Sequence, residues 1–584
     1  MVRKPLFFAK VISLAVIFGL STAAAFAQTS KPANELEAKI DSIFSNLQAP
    51  NSPGAAVTVI ENGKVIASRN YGFASIEHQV PFTHKTVVRL PYSESREFMM
   101  IAAVLMEKDG KLRLNDKVRK YFPELPAWSD QVTVLDLMNH RSGFVDEWAT
   151  VLLTQNSMAN RFDRSQFLSL LYTQPKPEIE PGKGYMYSNS DMGLLKFILE
   201  IAAGEPLRDW MKKRMFRPLD MAATRMNDDV LEVVPDMARK YSFGREVKFA
   251  RPEKISPGGN YFIATSADDL ANWVAAHTDA SSEIAWATKQ LLEKVRLMPG
   301  KKNHYIFGRS VETIGGNEVV IHQGVNGFTY LIRVPRSGLA LIATTNDHNG
   351  VTPELMRLVK HVLKTADAEF VKPQFLTKAV PISEEELKKF EGLYVWQDVE
   401  AWQSSRPVRR TTTIYVASGV LRLRFLGEDV PLVYVGGGKF YFTDGYGVQV
   451  EFSTTADGRD QVVLQFDDGY PAIRKIRESS KPWSPTQEQL VLFSGRYHSK
   501  HLDYYWTILR GENGTLVLKR PTVADTILEP DGENTFRFIM EDGHTPGQGF
   551  NSWVKFHLDR KGNPTHLTVG FPRLMDHRFD RVVQ

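Results

Sequence analysis

Three short segments of the sequence carry residue types that could transfer an acyl group. Ser93 and Arg96 lie three positions apart, Tyr187 and Asn189 flank a serine, and His322 precedes a Gln-Gly pair. A serine hydroxyl can attack a carbonyl carbon when a neighbouring group takes its proton, and tyrosine and histidine can accept such a proton. This chemistry needs neither a metal nor a cofactor, and the histidines lack metal-ligand clustering. Residues of these types could therefore carry out covalent catalysis, although their spacing alone is a weak signal.

The first segment coincides with the start of a predicted helix. Apolar residues at three- and four-residue spacing predict an amphipathic helix that begins near Ser93 and runs to about Asp109, where Gly110 ends it. Ser93 and Arg96 would then lie one turn apart at the helix N-terminus, which favours developing negative charge. Taken alone, this spacing also fits a helix-capping serine followed by a solvated arginine.

Further motifs occur in order along residues 35–365. They are Leu137-Met138-Asn139-His140-Arg141-Ser142-Gly143, Pro218-Leu219-Asp220-Met221, Gly258-Gly259 and Ser266-Ala267-Asp268-Asp269-Leu270. With the S-x-x-basic, Y-x-N and H-x-G segments, they resemble the serine β-lactamase and penicillin-binding-protein superfamily. The resemblance is closest to its class C-like branch of esterases, D-aminopeptidases and D,D-peptidases.

This resemblance implies a role for each residue of the site. Ser93 would attack the substrate carbonyl, and Tyr187 or a lysine would take its proton. The backbone amides of Ser93 and Val325 would stabilise the oxyanion, and Asn189, Gly324 and Val325 would bind the substrate.

The histidines have different expected roles. His322 stands where relatives have the lysine of K-T-G, and it could donate toward the substrate or Tyr187. The alternative for His322 is a strand histidine at a domain surface. His140 and Ser142 are expected to fix a turn rather than to take part in the reaction.

Arginine at position 96 departs from the family pattern, which has lysine there. Lowering the pKa of an arginine to near neutrality requires a shift of about 6 units or more, or 8 kcal/mol, so Arg96 is not the general base. A nearby guanidinium could instead hold Tyr187 partly as phenolate. Alternatively, Glu94 or Glu97 could draw Arg96 into an ion pair.

The register of this motif has two readings. Counting forward from Arg89 places Tyr92 and Ser95 at the motif positions. Counting back from Gly110 places Ser93 and Arg96 there. We prefer the second reading, because an insertion fits a loop better than a packed helix.

Two main functional hypotheses remain open. The first is an exported serine hydrolase acting on esters, D-amino-acid amides or small peptides. The second is a catalytically disabled descendant that binds cell-wall peptide or a protein partner. A lipid- or ligand-carrying barrel protein is a weaker third hypothesis, since nothing in residues 380–584 marks a ligand site.

The helices and strands that the sequence predicts around these residues indicate an α+β fold. Residues 28–370 are expected to form an antiparallel sheet flanked by helices, with a hairpin that turns at Asn62-Gly63. The later chain repeats at an offset of 103 positions, and its short alternating strands predict two small antiparallel β-barrels over 380–478 and 484–584. The repeated residues are Leu387, Phe390, Gly392 and Tyr394, which recur as Leu490, Phe493, Gly495 and Tyr497.

Charge and the N-terminal residues bear on location and partners. The net charge of +5, from 72 basic and 67 acidic residues, is too small over 584 residues to indicate a nucleic-acid partner. Residues 1–27 match a signal peptide with a short apolar run and an Ala-Phe-Ala cleavage site, whereas a membrane anchor needs about 20 apolar residues. A periplasmic or secreted protein with no integral membrane segment after cleavage is expected. The absence of cysteine excludes disulfides.

Overall fold

The computed structural model describes most of the chain. The described residues are 34–49, 51–90, 92–154, 163–183, 186–229, 232–243, 248–250, 262–294, 305–306, 309–314, 316–323, 329–347, 350–364, 379–396, 411–425, 428–442, 448–466, 473–477, 483–512, 515–521, 523–541, 549–571 and 574–582. The expected signal peptide lies outside them. The domain boundaries near 370 and 478 also fall outside, so they stay predictions.

The N-terminal unit combines ten α-helices with fourteen strands among the described residues. Its helices are α1 (Glu35–Ile43), α2 (Tyr92–Lys108), α3 (Val134–Met138), α4 (Glu147–Thr154), α5 (Arg164–Tyr172), α6 (Asn189–Ala203), α7 (Leu207–Met211), α8 (Ala267–Thr278), α9 (Glu283–Lys294) and α10 (Thr352–Val362). Its strands are β1 (Ala55–Glu61), β2 (Lys64–Tyr71), β3 (Phe73–Ser75), β4 (Val80–Pro81), β5 (Val88–Arg89), β6 (Arg225–Asn227), β7 (Tyr241–Phe243), β8 (Lys248–Ala250), β9 (Phe262–Thr265), β10 (Tyr305–Ile306), β11 (Arg309–Ile314), β12 (Asn317–Gln323), β13 (Thr329–Val334) and β14 (Leu339–Thr345).

A seven-stranded antiparallel sheet forms the middle layer, in the order β10-β11-β12-β13-β14-β1-β2. Successive side chains of a strand point to opposite faces, and both faces of β1 are buried. Ala56 and Ile60 pack in the apolar cluster that contains α2 and α8, whereas Val57 and Val59 pack with α1 and α10. The sheet therefore lies between two helical layers, as the α+β prediction requires.

The predicted hairpin is confirmed. Strands β1 and β2 pair antiparallel and turn at Asn62 and Gly63, whose φ angles are 49° and 76°. Two consecutive residues with positive φ match the twist of the flanking strands, and asparagine followed by glycine tolerates this conformation best.

Helix α2 differs from the amphipathic helix expected from its apolar spacing. It spans Tyr92–Lys108, and every side chain from position 94 to position 106 is buried. The expectation of a solvent-exposed face was wrong, because the helix is surrounded by α6, α8, α9 and the sheet. Four polar residues of its first turns, Glu94 to Glu97, are consequently buried as well.

Two closed eight-stranded antiparallel barrels follow, as predicted. Barrel 1 is preceded by α11 (Glu384–Lys388) and contains β15 (Gly392–Trp396), β16 (Thr411–Ala417), β17 (Val420–Phe425), β18 (Glu428–Gly436), β19 (Lys439–Phe442), β20 (Val448–Thr454), β21 (Asp460–Phe466) and β22 (Ile473–Arg477). Barrel 2 is preceded by α12 (Gln487–Phe493) and contains β23 (Gly495–Ser499), β24 (Tyr504–Arg510), β25 (Leu516–Arg520), β26 (Val523–Gly532), β27 (Thr535–Glu541), β28 (Gly549–Leu558), β29 (Pro564–Phe571) and β30 (Leu574–Arg581).

None of the helices in the described part of the chain is both long enough and apolar enough to cross a membrane.

Candidate active site

The start of α2 and the start of α6 bring three predicted site residues into contact. The Arg96 guanidinium lies over the face of the Tyr187 ring, with its central carbon 4.4 Å from the ring centroid. Arg96 also donates to Asn189 Oδ1 at 3.3 Å, and the Tyr187 hydroxyl donates to the same oxygen at 3.0 Å. Arg96 is only 1% exposed. The arginine is therefore built into the interior and is not the solvated arginine of an ordinary capped helix.

The amide of Asn189 is held in one orientation. Its Oδ1 accepts from two donors, while its Nδ2 donates to Asp146 Oδ1 at 3.3 Å. Turning the amide over would place its NH₂ against the Arg96 donor and its oxygen against a carboxylate. Asn189 thus presents an acceptor to Tyr187, which keeps its hydroxyl proton in this arrangement.

Buried carboxyl groups lie close to this cation. Asp146 and Asp191 are fully buried. Burial raises the pKa of Asp191 well above its ordinary range and the charge of Asp146 adds to this, while the charge of Arg96 opposes it. An arginine stays protonated in such surroundings, so Arg96 supplies a fixed positive charge beside Tyr187.

A turn centred on His140 packs against the ring of Tyr187. His140 adopts a φ of 52°, and its ring centroid lies 4.8 Å from that of Tyr187. Its Nδ1 lies 3.4 Å from Asp191 Oδ2, and Ser142 donates a hydrogen bond to the other oxygen of the same carboxyl group. Through these contacts His140 and Ser142 stabilise the turn, as the sequence suggested.

His322 lies in a second buried cluster, which is centred on Glu97. His322 Nδ1 is 2.8 Å from Glu97 Oε2, His277 Nε2 is 2.9 Å from Oε1, and Arg333 lies 3.4 Å from Oε1. His322 is 3% and Glu97 1% exposed. The alternative of a histidine at a domain surface is therefore wrong.

Glu97 received no site role from the sequence beyond its suggested pairing with Arg96. The available signal was a run of charged residues inside an otherwise apolar helical pattern. Charged residues are almost never buried unless they are paired, so a fully buried acidic residue on a core helix implies specific partners.

The family model described as Beta-lactamase matches residues 40–363, the part of the chain that carries both clusters. The chain belongs to the beta-lactamase family. Protein flp of Staphylococcus aureus (strain MRSA252) is 21% identical over 336 residues, which are 55% of this chain and 65% of that protein. A D-aminopeptidase of Cereibacter sphaeroides is 25% identical over 280 residues, which are 47% of this chain and 53% of that protein. The chain thus spans about half to two thirds of these curated relatives.

Solved structures are also similar to parts of this chain. The octameric penicillin-binding protein homologue from Pyrococcus abyssi is 20% identical and covers 76% of this chain and 99% of its own, with a TM-score of 0.49.

The first motif of this beta-lactamase-family chain is only partly described. Helix α2 includes position 93, but the Ser93 side chain lies outside the described residues, as do Gly324 and Val325. Ser95, which the other register would place at the basic position of the motif, is fully buried, and its Oγ accepts a hydrogen bond from the backbone N–H of Ile263 at 3.0 Å. This bond ties α2 to β9 and gives Ser95 a structural role.

The structure thus groups the predicted residues into two clusters. Arg96, Tyr187 and Asn189 form one cluster, and His322 joins Glu97 in the other, with Arg96 and Glu97 adjacent on α2. In the described part of the chain, no group of His, Cys, Asp and Glu side chains is arranged to hold a metal ion.

Proposed function

We propose that this chain is an exported serine hydrolase that acts through an acyl-enzyme on esters, D-amino-acid amides or small peptides. The observation that carries the proposal is the buried contact of Arg96 with Tyr187 and Asn189, since it joins the first two motifs of a beta-lactamase-family site. The D-aminopeptidase among the relatives supports an acyl-transfer reaction. The signal-peptide pattern of residues 1–27 supports export.

In this reaction Ser93 is the nucleophile. Ser93 lies in the first turn of α2, where the helix dipole stabilises negative charge that develops on the serine oxygen. The backbone amides of Ser93 and Val325 would stabilise the oxyanion of the tetrahedral intermediate. Asn189 and Gly324 would bind the substrate.

Arg96 acts as a fixed cation and not as a base. Its charge above the Tyr187 ring favours the phenolate over the phenol, because an opposite charge within about 4–6 Å favours the charged form. In the hydrolase, Tyr187 would take part in proton transfer after its hydroxyl group gives up the hydrogen bond that it donates to Asn189.

A specific contact favours the second candidate, a catalytically disabled protein that binds cell-wall peptide or a protein partner. Asn189 Oδ1 accepts a hydrogen bond from the Tyr187 hydroxyl group, and Arg96 and Asp146 hold the amide in that orientation. A tyrosine that keeps its proton there is a poor base.

A fluorophosphonate probe separates these candidates. We expect the full chain to be labelled, Ser93→Ala to abolish labelling, and Ser95→Ala, the matched serine on the same helix, to retain it. A folded wild-type protein that stays unlabelled at high probe concentration would contradict the hydrolase and favour the binding protein.

Arg96→Lys tests the arginine itself. Loss of hydrolysis of a p-nitrophenyl ester would show that the guanidinium is part of the working site. A gain over an inactive parent would show that arginine disables it, because a lysine can reach a near-neutral pKa with a shift of only about 3 units.

A further inference from the structure

The last turn of α4 accepts hydrogen bonds from barrel 2. Trp506 Nε1 donates to the Leu153 carbonyl at 3.2 Å. Arg520 Nη1, which also brings a positive charge, donates to the Leu152 carbonyl at 3.2 Å. The last four carbonyl groups of an α-helix have no partner within the helix, and a cation is favourable at that end. Barrel 2 therefore caps the C-terminal end of α4.

Both donors are packed inside barrel 2. Trp506 is fully buried and stacks on Phe579, with ring centroids 4.6 Å apart. Arg520 is 5% exposed and also donates to Thr526 Oγ1 at 3.1 Å. Because close-packed side chains have little room to move, these two donors fix the last turn of α4 relative to barrel 2.

The N-terminal end of α4 is hydrogen-bonded to the Y-x-N segment. Three consecutive residues around the start of α6 pair, one for one, with three consecutive residues around the start of α4. The pairs are Ser188 with Val145 at 3.3 Å, Asn189 with Asp146 at 3.3 Å, and Ser190 with Glu147 at 2.9 Å. The segment that carries Tyr187 is therefore aligned by the first turn of α4.

Asp146 Oδ1 is shared between α4 and the candidate site. This oxygen accepts the backbone N–H of Trp148 at 2.9 Å, so Asp146 caps the N-terminal end of α4. The same oxygen accepts the Asn189 amide, which in turn accepts from Arg96 and Tyr187. The acceptor that orients Asn189 is thus in place only when the first turn of α4 is formed.

Helix α4 is too short to be stable by itself. It spans eight residues, Glu147–Thr154, whereas isolated helices shorter than about 12–15 residues are marginal in water. Its formation therefore depends on packing in the core and on the contacts at its two ends. Because helix formation is cooperative, the loss of one capped end also lowers the stability of the turn at the other end.

We infer that barrel 2 is a positioning unit of the candidate active site. Trp506 and Arg520 are positioning residues: they stabilise α4, and α4 holds the Asn189 amide. The catalytic consequence rests on the proposed hydrolase function. Since both ends bias the same equilibrium between a formed and a frayed α4, the coupling is reciprocal, and changes near Asn189 also weaken the docking of barrel 2.

The first test compares the rate constants of fluorophosphonate labelling of the full chain. Trp506→Phe removes one donor to α4 and keeps an aromatic ring, and Arg520→Met removes the other and keeps a long side chain. We expect each to lower the rate constant about 5-fold, the lower end of typical coupling between two sites. The double variant should lower it further. Arg520→Lys, which keeps a donor and the charge, should retain more of the rate than Arg520→Met.

Tyr497→Phe is the matched control for this test. It removes a buried hydrogen bond, to the Phe493 carbonyl, within barrel 2 and away from α4, and it should react at the wild-type rate. A merely structural effect would lower the fraction of protein that is labelled. Loss of positioning instead lowers the rate constant of the fraction that is labelled.

The second test measures hydrogen exchange by NMR and needs no activity. The backbone amide of Trp148, at the N-terminal end of α4, should exchange at least 5-fold faster in both donor variants, and not in the control, by the same coupling. In the reverse direction, Ser190→Ala removes the oxygen that accepts the Glu147 amide. It should speed exchange of the Trp506 indole N–H, which is assigned by its loss in Trp506→Phe.

The outcomes separate this inference from the proposed function. A labelled wild-type protein whose folded Trp506 and Arg520 variants react at the wild-type rate would overturn the inference and leave the hydrolase standing. Faster exchange confined to the last turn of α4, with Trp148 unchanged, would overturn it as well. A folded wild-type protein that stays unlabelled would overturn the proposed function and the catalytic role, while the exchange rates would still decide the coupling.

Discussion

Barrel 1 and barrel 2 share the same local construction but relate differently to the rest of the chain. In each, a capping box starts the short helix before the first strand, formed by Ser383 with Glu386 and by Thr486 with Gln489. In each, a buried tyrosine of that first strand donates to a carbonyl four residues earlier. These parallel contacts, all displaced by 103 positions, show that the repeat encodes the start of a barrel.

The difference lies in the surroundings of the two barrels. The apolar core of barrel 1 forms its own cluster, whereas that of barrel 2 is continuous with the N-terminal unit. Trp506 donates to the Leu153 carbonyl at 3.2 Å, and Arg520 donates to the Leu152 carbonyl at 3.2 Å. Both carbonyls belong to α4, so barrel 2 is hydrogen-bonded to the C-terminal end of that helix.

Helix α4 links this docking to the candidate site. Its first residue, Glu147, receives a hydrogen bond from Ser190 at 2.8 Å, and the preceding Asp146 receives one from Asn189. Barrel 2 thus contacts one end of a short helix whose other end orients Asn189. The two barrels teach that a duplicated fold can serve as a separate unit in one copy and as part of the main core in the other.

The largest expected effect on stability comes from replacing Trp506, the tryptophan that contacts α4. Trp506→Ala should lower the free energy of unfolding by about 3–5 kcal/mol, because it empties a fully buried site and removes the bond to Leu153. Calorimetry should show the loss in a transition that barrel 2 shares with the N-terminal unit.

Phe440→Ala is the matched variant in barrel 1, where Phe440 is fully buried against Phe390 and Phe452. It should lower a separate transition and leave the shared one in place. If both variants shift one common transition, the contrast between the barrels does not hold.

The unfolding transitions of the two barrels should also differ in their dependence on acidic pH. Burial lowers the pKa of His577 to about 3, and the charges of His501 and Lys176 add to this. His577 is neutral in the folded protein, but in the unfolded chain it binds a proton below about pH 6.5. Stability of the shared transition should therefore fall as the pH falls, by about 2 kcal/mol between pH 6.5 and pH 4.5.

Barrel 1 offers the control for this prediction, because residues 380–478 contain no histidine. Its transition should lack this dependence. His577→Gln should flatten the acid dependence of the shared transition while keeping a polar partner for Ser499, which lies 2.9 Å from the imidazole. An unchanged slope in this variant would assign the acid sensitivity to another group.

The same contrast explains what the sequence could predict. The barrels followed from repeated glycines and aromatics, since closure of eight short strands depends on local turns and alternation. The proximity of Arg96, Tyr187 and Asn189 followed from ordered motifs. The docking of Trp506 did not, because a tryptophan in an alternating strand predicts burial but does not tell which neighbouring unit buries it.

The Glu97 cluster was missed for a related reason. Its partners come from α8, β12 and β13, which are distant in sequence, and nothing local to α2 indicates which histidine meets which carboxyl group. The periodicity of α2 predicted a helix correctly. It could not predict that other elements cover every side of it.

The smallest expected effect uses the repeated tyrosines as a matched pair. Tyr394 donates to the Phe390 carbonyl at 3.1 Å, and Tyr497 donates to the Phe493 carbonyl at 2.9 Å. Tyr394→Phe and Tyr497→Phe should each cost about 1 kcal/mol, the net worth of one such hydrogen bond. Because the local chemistry is the same, any difference between them reports the surroundings: Tyr394→Phe should lower only the barrel 1 transition, and Tyr497→Phe should lower the shared one. Equal shifts of a single transition would mean that the two barrels unfold together and that docking of barrel 2 does not set it apart.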